Sequence, residues 1–112
     1  MSNEEKERIA KIRELNDQLR QTFNGTVLLT RGIRSKPPLE LCEILEKVKN
    51  FNDFNKSNDP YGEADMGSFD YRGDKIIWKI DYYNNDNTYL SPDPANPAHT
   101  HRVMTIMCAN EY

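Results

Sequence analysis

Carboxylates are the residues best placed to do chemistry. Asp59, Glu63 and Asp65 stand just before one strand-like run, Asp81 near the end of the next, and Asp93 in a proline-studded stretch. Were Glu63, Asp65 and Asp81 to converge at one edge of a sheet with Lys79 beside them, they would suit Mg²⁺, because hard cations take oxygen ligands and can activate water. A small metal-assisted hydrolase is the alternative function such a cluster would support. Against it, Lys79-Ile80-Asp81 reverses the Asp-x-Lys order typical of nuclease strands. The plainer expectation is that these acids anchor loops and that Lys79 and Asp81 form an ion pair.

Other chemical signals are weaker. His99-Thr100-His101 would put both imidazoles on one side of an extended chain, a spacing that suits Zn²⁺, but no third His or Cys lies nearby. There is no Gly-x-Ser-x-Gly and no phosphate-cradling glycine loop. Cys42 and Cys108 form no CxxC pattern and are expected to be buried, reduced thiols. The expectation is therefore no metal, no cofactor, and no assigned catalytic residue.

Charge narrows the partners. The chain of 112 residues has a net charge of −3, and residues 52–98 alone carry −5 against +2 for the rest. Nucleic-acid binding needs a basic footprint, so it is not expected. Tyrosines are dense in and after this acidic middle: Tyr61, Tyr71, Tyr82, Tyr83, Tyr89 and Tyr112. Tyrosines rimmed by acids and asparagines fit a protein-binding surface. No apolar leader or membrane-length run is visible, which predicts a cytoplasmic protein, monomeric or homodimeric, without a membrane partner.

The elements that must position these residues follow from periodicity. Ser2 and Glu5 fit a capping box opening a helix over 3–23, with Ile9, Ile12, Leu15 or Asn16, Leu19 and Phe23 as its stripe. A short strand over 26–30 ends at a break at Gly32, and a second amphipathic helix spans 38–51 behind Pro37-Pro38. Strands are predicted over 65–71, 75–83 and 102–109, the first two joined by a hairpin turn at Arg72-Gly73-Asp74. The middle strand holds the only tryptophan. Period two puts Ile76, Trp78, Ile80 and Tyr82 on a core face and Ile77, Lys79, Asp81 and Tyr83 on the other. The last strand is apolar on both faces, which predicts an interior place. The implied fold is a single α+β domain over 1–112: an antiparallel sheet with a C-terminal three-strand meander and two helices on one face. Where the 26–30 strand joins is not readable.

Several stretches carry a resemblance. Asn58-Asp59-Pro60-Tyr61-Gly62-Glu63-Ala64-Asp65-Met66-Gly67-Ser68-Phe69, Trp78 to Tyr83, Ser91 to Pro97 and Arg102 to Tyr112, with Leu15-Asn16-Asp17 and Thr22-Phe23, resemble a bacterial domain-of-unknown-function family, DUF family 3768. The resemblance extends over nearly the whole chain. Its markers fall on Asp59, Gly62, Glu63, Asp65, Lys79, Asp81, Tyr82, Asp93, Arg102 and Tyr112. The family often holds a histidine where this chain has Tyr61 or Ala64, so a metal site on that loop is disfavoured here. The resemblance implies small proteins, frequent in alphaproteobacteria and carried on mobile elements, with no assigned activity. By association it suggests an accessory role such as inhibiting a host defence complex, in the manner of an anti-CRISPR protein. The expected function is a non-enzymatic protein-binding module, with Asp59, Glu63, Asp65, Lys79, Asp81, Tyr82, Asp93, Arg102 and Tyr112 as its candidate binding residues.

Overall fold

The computed structural model describes all of residues 1–112. Strands β1 (Thr26–Leu29), β2 (Met66–Tyr71), β3 (Asp74–Tyr83) and β4 (His101–Cys108) form one sheet in the order β1-β4-β3-β2. β2, β3 and β4 make the antiparallel meander, and β1 runs parallel to β4. The fold is α+β, but the sheet is mixed rather than antiparallel. The difference has a physical origin: parallel strands need a long crossover, and a local pattern of alternating residues carries no record of which distant strand it will meet.

Helices α1 (Asn3–Thr22), α2 (Arg31–Arg34) and α3 (Pro38–Lys49) lie on one face of this sheet. Leu19, Ile33, Ile44 and Val48 from the helices meet Tyr71, Ile76, Trp78, Ile80, Met104 and Ile106 from the strands in a single core. Trp78 is completely buried. Phe51 and Phe54 meet its ring edge-on, at 5.5 and 6.1 Å between centroids. Each such buried side chain contributes about 1.5–3 kcal/mol by leaving water.

Local signals account for most ends. The Ser2 hydroxyl accepts the Glu5 N–H at 3.1 Å, though the Glu5 side chain makes no return bond, so only half of the capping box forms. Phe23, rather than Gly25, takes the left-handed position that closes α1, with φ 56°. Arg72 and Gly73 both have positive φ, 48° and 88°, which is the two-residue turn that suits the twist of a hairpin. Residues 31–34 form a helical turn where the sequence suggests only a break. Its first N–H groups need an acceptor, and the chain's far end supplies one: Glu111 accepts the Gly32 N–H at 2.8 Å and the Thr30 hydroxyl at 2.6 Å. A Cβ at position 32 would lie 2.6 Å from that carboxylate, so a side chain there would displace Glu111 from these hydrogen bonds.

The sheet's second face carries no α-helix; the 3₁₀ turn Ala109–Glu111 and Tyr112 border it. Ile77, Val103 and Met107 on it are still buried, while Leu28 is half exposed. At one end of the sheet β3 finishes and β2 and β4 begin. There the segments 52–65 and 84–100 gather.

Candidate functional site

Alternation along β3 divides the predicted residues between two faces. Tyr82 pairs with Arg102 on the helix-covered face, and Asp81 pairs with Val103 and Lys79 with Thr105 on the other. The carboxylates Glu63, Asp65 and Asp81 therefore form no common ligand set. No group of three or more His, Cys, Asp or Glu side chains stands close enough to share a metal ion.

On the covered face, polar groups converge on Asn16 of α1, which has no exposure at all. Its Nδ2 donates to the Glu63 carbonyl at 3.0 Å and to the Tyr82 hydroxyl at 2.8 Å. Its Oδ1 accepts from Arg102 Nε at 2.9 Å. The Tyr82 hydroxyl in turn donates to the Glu63 carboxylate at 3.5 Å. Arg102 lies 5.2 Å over the Tyr82 ring and donates through Nη2 to the Pro94 carbonyl. A buried amide leaves a costly vacancy if any of its bonds is missing, so satisfying both ends of Asn16 fixes α1, the 52–65 loop, β3 and the 84–100 loop in one register.

Burial sets the electrostatics here. It raises Tyr82 well above the usual phenol range, so the hydroxyl stays protonated and can donate. Burial, then the neighbouring Asp65, raises Glu63 above the usual carboxylate range. Asp65 is raised by burial and by Asp59 and Asp81. Its carbonyl accepts the Ile80 N–H at 2.7 Å, extending β2 by one bond. Burial pulls Arg102 below the usual guanidinium range, yet it remains a cation.

Asp59 and Asp93 secure the two loops. Both Asp59 oxygens accept the buried Ala64 N–H, at 3.1 and 3.3 Å, and Arg13 of α1 pairs with the same carboxylate at 3.1 Å. Ala64 sits at φ 53°, a left-handed position unfavourable to a residue with a Cβ, and this clamp holds it there. Asp93 accepts the Ala95 N–H at 3.3 Å and lies 3.9 Å from Arg8. These two acids act as loop anchors.

The open face is simpler. Lys79 and Asp81 form an ion pair at 3.0 Å, each about a third exposed, and the bond to Asp81 raises the lysine above its usual range. Tyr83, Thr105, Met107 and the exposed Tyr112 line the same shallow cleft. The pair contacts none of the covered-face network.

Two histidine and cysteine expectations change. Pro97–His99 is a 3₁₀ turn, so His99 and His101 do not share one side of an extended run. The His101 ring is held by Thr26 Oγ1 at 2.8 Å and Asn87 Oδ1 at 2.5 Å. Both thiols are free, but neither is fully buried: Cys108 is partly exposed, and Cys42 is exposed because the α3 stripe of Ile44 and Val48 turns it outward.

Sequence reasoning missed Asn16 and Arg13 as site-building residues. Asn16 stood in plain view at a stripe position four after Ile12, where a polar residue must be satisfied by something distant.

No helix is long and apolar enough to cross a membrane. No curated protein and no solved structure matches the chain. A family model described as a protein of unknown function, DUF3768, matches residues 29–111. That match begins after α1, so Asn16 and Arg13 lie outside it, short of the near-complete resemblance read from the sequence. It spans most of the chain, which belongs to the DUF3768 family.

Proposed function

We propose that this DUF3768 protein is a non-enzymatic binding module that engages a protein partner through the loop end of its sheet. One observation carries the reading. Tyr61 on one loop and Tyr89 and Leu90 on the other are each 77% exposed, on loops whose bases are tied down by buried hydrogen bonds. Large exposed aromatic and aliphatic groups on a rigid base suit recognition, since little conformational freedom is lost on binding. Asp53 and Asp86 outweigh Lys56 among the exposed acids and lysines of these loops, which favours a partner with a basic surface around an apolar patch. The site works in the cytoplasm on this reading, and a host defence complex is the partner that the mobile-element association of the family implies. A metal-assisted hydrolase is the less favoured reading, since no three His, Cys, Asp or Glu side chains stand close enough to share a metal ion.

The test is affinity capture from the native host with wild-type protein and a Tyr61→Ala, Tyr89→Ala, Leu90→Ala variant of equal thermal stability. A partner recovered by the wild type and lost by the variant is expected. Recovery of the same proteins by both, or of none, would sink the proposal.

A further inference from the structure

A second site, whose lining includes none of the tyrosines, is a cleft of about 350 Å³ between the later half of α1, the elbow at residues 24–26 and the start of β4. Its polar lining is Gln18, Asn24, Thr26, Thr100, His101 and Arg102, and it includes no acid. That is unusual in a chain with more acids than bases. Other clefts carry carboxylates: Asp74 and Glu111 beside Lys36, Asp17 and Glu46 between α1 and α3, and Asp81 beside Lys79.

Arg102 is the charge in this cleft; the Glu63 carboxylate, behind Tyr82, is near enough to act on it but forms no ion pair with it. Its Nε is taken by Asn16 and Nη2 by the Pro94 carbonyl, while Nη1 has no acceptor in the protein and is not sealed from solvent. A half-buried guanidinium usually meets an anion, because its fork matches the paired oxygens of a carboxylate or phosphate. Here neutral acceptors and the Tyr82 ring hold it in place, so its orientation is set before any ligand arrives. The Gln18 and Asn24 amides border the same cleft, make no side-chain hydrogen bond within the protein and are free to donate. The volume lies in the range of small-molecule sites.

We infer that this cleft binds a small oxyanion-bearing molecule, a carboxylate or a phosphate, with Arg102 as the charged ligand and Gln18 and Asn24 as supporting donors. The site goes beyond the protein-binding reading and does not depend on it. Occupancy would brace α1 against the 97–102 segment, which are the two walls of the cleft.

The test is a nitrogen–proton NMR titration of the full chain with inorganic phosphate, with acetate, and with chloride, at constant ionic strength. Saturable shifts confined to the Gly25 amide, the His101 amide and the Arg102 Nε–H are expected with one of the two oxyanions and not with chloride, and the stronger of the two identifies the ligand class. Arg102 is part of the buried network, so the variant is Gln18→Glu, on an exposed helix position. Placing a carboxylate in the cleft with Arg102 is expected to weaken binding about tenfold. No saturable shift, equal shifts with chloride, or an affinity unchanged by Gln18→Glu would each overturn the inference.

Discussion

The two faces of β3 handle charge in opposite ways. On the covered side, Tyr82 and Arg102 are tied to Asn16 by bonds that span more than sixty residues of sequence, and the central amide is sealed from water. On the open side, Lys79 and Asp81 are two residues apart, paired with each other and about a third exposed. The same alternation produced both, yet only the covered side ties the helix layer to the loops. Proximity between charges is thus a poor guide to structural consequence, and burial with full hydrogen bonding is a better one.

Replacing Asn16 with Ala is expected to produce the largest effect. It strips an acceptor from Arg102 and donors from the Glu63 carbonyl and the Tyr82 hydroxyl, at roughly 1–3 kcal/mol for each buried group left unpaired. A total near 3 kcal/mol is expected in urea unfolding, because water can reach some of these groups after relaxation. A loss below about 1 kcal/mol would show that the network is not the tie between layers.

Gly67 and Ser68 make the same comparison one strand away. A Cβ at Gly67 would come within 2.6 Å of Trp78 Nε1 and 2.7 Å of Phe51, whereas Ser68 is exposed on the open face. Gly67→Ala is expected to cost about 1–3 kcal/mol by overpacking. Ser68→Ala should stay within about 0.5 kcal/mol. Equal losses would mean that the open face is packed as tightly as the covered one.

Acid should act through Glu111, whose hydrogen bonds from Thr30, Cys108 and Gly32 hold it down to about 2 from an ordinary value of 4.5. The unfolded chain binds this proton more readily, so the carboxylate stabilises the fold above about 4.5 and loses that effect as pH falls toward 2. The melting temperature of Glu111→Gln should therefore change less with pH across that window than the wild type's. Identical slopes would show that the Glu111 carboxylate does not stabilise the fold. Glu63 and Asp65, raised by burial, act with the opposite sign and soften the total acid response.

The smallest effect is expected at the ion pair. Asp81→Ala should cost less than about 1 kcal/mol, diminishing further in high salt. A larger, salt-independent loss would place the open face in the structural frame after all.

Much of the fold was legible because its causes are local. Alternation through Trp78, the two positive-φ residues of the Arg72-Gly73 turn, and the proline opening α3 each announce themselves within a few residues. The parallel pairing of β1 with β4 is not local, and neither is the Glu111 carboxylate that caps a turn 79 residues earlier in the chain. The candidate site shows the same limit. Asp59, Glu63, Tyr82, Asp93 and Arg102 could be named from the sequence, but periodicity could not say that Asn16 would gather three of them and leave Lys79 and Asp81 on the far side.

The most direct test of the central claim, that the buried network holds the loop end in place, is hydrogen exchange at the Ala64 amide, which Asp59 holds beside Glu63. In Asn16→Ala this amide should exchange much faster, while the Ile76 and Ile106 amides in the sheet core keep most of their protection. In Asp81→Ala all of them should match the wild type. Unchanged Ala64 protection in Asn16→Ala, or an equal loss in Asp81→Ala, would contradict the account.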